Sequence, residues 1–162
     1  MHTILVPVDG SIHSLKALRI ACDLAEKYDG QIVLVHILLA GRQPGQLKAL
    51  GVAASFGPNI VRDLGALIAK GAGTAPPAVL RDIGTAILAD AEGRVSRRGI
   101  PCRRFELQNG DPAEAILLAH RQTGANTIVM GSRGVSDSGE SAFGSVSQAV
   151  FAQADCTCIS VK

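Results

Sequence analysis

Aromatic residues are scarce in this chain: four Phe, one Tyr and no Trp make up 3% of its 162 residues. A stacking platform for nucleic-acid bases, which needs several exposed rings, is therefore not expected. Sixteen Lys and Arg against 14 Asp and Glu leave a formal charge of only +2, with no basic block. Such a balance gives no electrostatic footprint for a phosphate polymer, so no nucleic-acid partner is expected. Apolar runs are short, as in Ile32-Val33-Leu34-Val35. No membrane span or signal peptide is expected, because the N-terminus enters a strand directly. Cysteine is limited to Cys22, Cys102, Cys156 and Cys158, which read as reduced thiols of a cytoplasmic protein.

Two phosphate-binding motifs are missing as well. No Gly-Lys-Ser or Gly-Lys-Thr occurs, which excludes a P-loop with its lysine on the β- and γ-phosphates. No Gly-x-Gly-x-x-Gly turn follows the first apolar run, which argues against a dinucleotide fingerprint.

What remains is an apolar chain, 47% hydrophobic with 19% charged residues, of a length that suits one buried domain over 1–162. Thr3–Val8 and Ile32–Leu38 read as strands covered on both faces. Between them, Leu15, Leu18, Ala21, Cys22 and Ala25 recur at helical spacing through about Tyr28, and Gly30 closes that helix. Residues 40–77 form a long connection in which only Ile60–Ile68 suggests a short helix. Val79–Val95 is periodic and helical, and Cys102–Leu107 is polar enough for a sheet edge. Asp111-Pro112-Ala113-Glu114 starts a helix that runs to Thr123, with Gly124 as its stop. Thr127–Met130, Gly144–Ala154 and Cys158–Val161 complete the pattern as strand, helix and strand. The alternation predicts an α/β fold, an open five-stranded parallel sheet with helices on both faces.

The richest stretch is Met130–Ser147, with Gly131, Gly134 and Gly144-Ser145 set between a strand and a helix. Glycines there let main-chain N–H groups approach an anion, and a helix start adds unpaired donors. The plainer alternative is a turn at Gly131 and Gly134 followed by an ordinary helix cap. Asp9-Gly10 ends the first strand, and ligands of such sheets bind beyond strand ends where the winding reverses. Arg133 is the one cation in the cradle, so binding is better supported than fast phosphoryl transfer. Cys156 and Cys158 lack a second ligand pair and read as small core residues, and His36 reads as a structural imidazole. His2, His13 and His120 have no nucleophile at a recognisable motif.

ILVPVDGS (Ile4–Ser11), LVHIL (Leu34–Leu38) and TIVMGSRG…FGSVSQAV (Thr127–Val150) together resemble the universal stress protein family. Gly131, Gly134, Gly144 and Ser145 match its Gly-x2-Gly-x9-Gly-Ser/Thr signature, which marks the ATP-binding branch. The resemblance implies a Rossmann-like sheet of order 3-2-1-4-5, similar to the adenine nucleotide alpha hydrolase fold. It implies ATP, ADP or AMP as ligand, with Mg²⁺ as a candidate companion. Pro7, Val8 and Asp9 would sit at the adenine–ribose end, Ile37 would bound the adenine, and Met130 would line the pocket beneath it. Gly131, Arg133 and Gly134 would wrap ribose and phosphates, while Gly144, Ser145, Val146 and Ser147 would hold the phosphates. It further implies a homodimer through the last strand, Cys156–Val161, and a regulatory role toward a protein partner. A weak ATPase or autophosphorylating enzyme and a nucleotide-independent interaction module are the alternatives. Two features depart from the family pattern. Asp137, Ser138, Gly139 and Glu140 occupy the middle of the signature, and Cys156-Thr157 replaces the usual Cys-Pro.

Overall fold

Strand β1 (Thr3–Pro7) is buried at every position because a helical layer covers each of its faces. Ile4 and Val6 belong to one apolar cluster with Ile32 and Leu34, and Leu5 belongs to the opposite cluster with Val33 and Val35. That period of two is the pleat of a strand buried on both sides. Fully burying one such side chain contributes about 1.5–3 kcal/mol. The computed structural model describes residues 1–135 and 144–162.

Strand β2 (Gln31–Val35) pairs with β1 in parallel, Ile4 opposite Ile32, and strand β3 (Cys102–Arg104) continues that side. On the other side lie β4 (Thr127–Gly131) and β5 (Thr157–Val161), so the order is β3-β2-β1-β4-β5, as expected. Helix α1 (Ile12–Lys27) starts at Ser11, whose hydroxyl accepts from the Ser14 N–H at 3.2 Å. It packs over β1, β4 and β5. Helix α4 (Pro77–Ser96) covers β2 and β3 on the same face. Helices α5 (Pro112–Thr123) and α6 (Ser145–Gln153) cover the other face. Asp111 caps α5 through the Glu114 N–H at 2.9 Å, and Gly124 ends it at φ 63°.

Differences from expectation cluster at strand ends and in the long connection. β2 stops at Val35 rather than Leu38, because Ile37 turns to form an isolated bridge with Gln108. β3 stops at Arg104 rather than Leu107. The connection 40–77 holds α2 (Pro44–Lys48), a single 3-10 turn at Ala53–Ser55 and α3 (Pro58–Ala69). Only α3 has a legible apolar stripe; α2 buries Pro44 and Leu47 alone, too few positions to show a period.

His36 follows β2 with no exposed surface, and its Nδ1–H donates to the Val8 carbonyl at 2.7 Å. Its Nε2 has no partner among the described residues and faces Gly84 of α4, where an added Cβ would lie 2.8 Å from the ring. Burial holds the imidazole below its ordinary 6.5, against the Val8 bond and the charge of Asp9. The unfolded chain then binds a proton that the folded chain refuses, so this contribution is complete above pH 6.5 and declines below it. Urea midpoints measured from about pH 7 to about pH 5 should fall more steeply for the wild type than for His36→Asn. Equal slopes would remove His36 from the acid response.

Candidate functional site

The winding of the sheet reverses between the parallel strands β1 and β4: successive strands are added outward to β3 on one side and to β5 on the other. Loops leaving the carboxyl ends of two such strands diverge, and the gap between them is where open α/β sheets bind ligands. A cavity of about 250 Å³ lies there. Ten of the twelve residues expected at a site line it: Pro7, Val8, Asp9, Ile37, Met130, Gly131, Arg133, Gly134, Val146 and Ser147. Gly144 and Ser145 do not line it, although they open α6 beside it; Ser145 is exposed at the first helical position.

Asp9 is held by main-chain donors. Its Oδ1 accepts from the Ser11 N–H at 2.9 Å and its Oδ2 from the Val135 N–H at 3.0 Å. The carboxylate thus ties the turn after β1 to the loop after β4. Gly134 comes so close that an added Cβ would lie 2.7 Å from Asp9 Oδ2. Gly131 is pressed in turn against α1, with an added Cβ 2.8 Å from the Cβ of His13. Both glycines are therefore accounted for by packing of the loop, independently of any anion. Asp9 keeps lone pairs to offer a ligand, because each carboxylate oxygen can accept more than one bond.

Ser147 lines the cavity, and its side chain is engaged within the fold. Its buried hydroxyl bonds to the carbonyls of Gly144 at 2.9 Å and Ser132 at 3.1 Å. A serine hydroxyl has one proton to give, so here it fastens the start of α6 rather than addressing a phosphate. The Ser132 carbonyl also accepts from the Gly144 N–H at 2.6 Å, while the Ser132 N–H donates to Val161 at 2.7 Å. Ser132, 1% exposed, is thus the clamp of the loop, and sequence reasoning passed over it. A small polar residue between two glycines carries no pattern that marks such a role.

The Gly144 amide, expected in the anion cradle, is already engaged, as are those of the neighbouring Ser132 and Val135. The donors left to an anion are the first-turn amides of α6, which no side chain caps. Two guanidinium groups, Arg133 and Arg42, also line the cavity. Arg42 was missed because it lies in the connection 40–77, and its Nε is buried with no partner among the described residues. Pro112 and Ile116 of α5 and Val135 add apolar wall. This wall of apolar surface with converging polar and cationic residues fits a small organic anion such as a nucleotide. No metal-binding cluster occurs among the described residues, and Asp137 and Glu140, the candidate neighbours of Mg²⁺, lie outside them. Among the described residues no helix is long and apolar enough to cross a membrane.

Comparison with known proteins finds relatives over the whole chain. A universal stress protein of Thermus aquaticus is 30% identical over 160 residues, covering 99% of this chain and 98% of that one. The structure of the universal stress protein from Archaeoglobus fulgidus in complex with dAMP superposes with a TM-score of 0.65. Its identity is 20%, covering 100% of this chain and 98% of that one. A universal stress protein family protein from Arabidopsis thaliana with AMP bound gives a TM-score of 0.65 at 17% identity, covering 100% and 92%. These two structures share the fold. The model of the universal stress protein family matches residues 1–162, and the chain therefore belongs to that family.

Proposed function

We propose that this chain binds an adenine nucleotide in the cleft between β1 and β4 and acts as a regulatory protein with slow or no hydrolysis. The observation that carries this reading is the convergence of Asp9, Met130, Gly131, Arg133, Gly134 and Val146 on one cavity at the winding reversal. The dAMP and AMP complexes of the two related folds support the ligand class. In this reading Ile37 and Met130 flank the base, Pro7, Val8 and Asp9 meet base and ribose, and the start of α6 with Arg133 receives phosphate. ATP or ADP, with Mg²⁺, is the ligand form proposed first, and the cytoplasm is the proposed location. A homodimer through Cys156–Val161 is proposed on the half-buried state of β5, an edge strand whose outer ladder has no partner among the described residues.

Ligand that binds only the folded chain raises stability by about 2.7 kcal/mol at a hundredfold excess over Kd. Thermal unfolding with ATP, ADP and AMP, each with and without Mg²⁺, should therefore show a saturating rise in Tm. A Tm indifferent to all three at millimolar concentration would defeat the nucleotide reading. Phosphate release should stay near the blank, because the Ser147 hydroxyl is already bonded and the Asp9 carboxylate is tied by the Ser11 and Val135 amides as a structural link.

A further inference from the structure

Arg42 belongs to the connection after β2, yet it lines the same cavity as Asp9 and Arg133. Its main chain is fixed on both sides. The Arg42 N–H donates to Leu39 at 3.3 Å, its carbonyl accepts from the Ala75 N–H at 3.2 Å, and Gly41 turns the chain at φ 75°. The side chain is thus delivered to the cavity by a tied backbone, and its Nε is buried with no acceptor among the described residues. A buried N–H of a charged group with no acceptor is costly, and the cavity offers it little relief. Asp9 is the one carboxylate among the described lining residues, its oxygens accept from the Ser11 and Val135 amides, and no bond to Arg42 is among them. Arg42 thus adds a cationic side chain to a wall that already carries Arg133.

Resting on the nucleotide reading above, we infer that Arg42 is a direct contact for the phosphate of the bound nucleotide. Guanidinium presents several donors in a plane that matches two phosphate oxygens, and the pairing is charge-assisted. The connection 40–77 is then part of the binding site, since Arg42 hangs from Ala75 at its far end. Ligands without a phosphate gain nothing from this residue.

The test is calorimetric titration of the full chain with AMP and with adenosine, for wild type, Arg42→Met and Arg42→Lys. Met keeps the apolar stem and removes the charge. Arg42→Met should weaken AMP about tenfold, the scale of a charged hydrogen bond in a partly wet site, and leave adenosine unchanged. Arg42→Lys should fall between, because charge remains without the fork. The AMP affinity of Arg42→Met should also depend less on salt than that of the wild type. AMP binding unaltered by Arg42→Met would overturn the inference and leave the nucleotide reading standing. Equal losses for AMP and adenosine would overturn it too, by moving Arg42 to the base or the wall. A wild-type chain that binds neither ligand would overturn the nucleotide reading itself, and the inference with it.

Discussion

Gly131→Ala should destabilise the chain by about 3 kcal/mol and weaken nucleotide binding at least about tenfold, the upper range of overpacking effects. One added carbon would lie 2.8 Å from His13 Cβ, 2.9 Å from the His13 carbonyl carbon and 3.0 Å from the Arg133 carbonyl oxygen. Two of those neighbours are main chain, so no rotamer change relieves the clash. Either the first turn of α1 retreats or the loop after β4 lifts. A lifted loop carries Arg133 and Gly134 with it and strains the bond from Val135 to Asp9. In a domain of this size the change corresponds to a Tm lower by about 6–12 °C. Calorimetric melting and an AMP titration of the variant check both parts. A variant with wild-type Tm would show that the loop packs otherwise.

Gly10→Ala should cost as much through a different mechanism, about 3–4 kcal/mol in urea unfolding. Gly10 adopts φ 80°, a region in which a side chain adds about 1–2 kcal/mol of strain. Its added Cβ would also lie 2.9 Å from Val52 Cγ2 and 3.1 Å from Ile87 Cδ1. Those side chains belong to the connection 40–77 and to α4, so the turn after β1 sits beneath both. Gly45→Ala provides the control, since nothing lies within 4 Å of its added Cβ. It should be neutral or stabilise slightly through helix propensity, by up to about 1 kcal/mol. Equal losses for both variants would refute the packing argument at Gly10.

The central strands β1, β2 and β4 were legible because they are buried on both faces and read as continuous apolar runs, as in Ile32–Val35. Helix α5 was legible from its ends, where Asp111, Pro112 and Gly124 each perform the capping task their chemistry suggests. The lining at Asp9, Met130 and Gly131 was legible because strand order dictates which loops meet. Other parts were hidden for reasons equally physical. Arg42 reaches the cavity through tertiary ties to Leu39 and Ala75, which no local periodicity records. Ser147 read as a phosphate donor because type and position suggested it, whereas its proton goes to carbonyls brought near by folding. The end of β2 was misplaced because Ile37 and Leu38 stay apolar after the chain has left the ladder.

Ser132 joins two regions that the sheet otherwise keeps apart. Through its amide it holds the last residue of β5, and through its oxygen it holds the opening turn of α6. A single peptide neighbourhood therefore stands between the outer rim of the molecule and the floor of the cleft. Displacement at either place has a bonded route to the other.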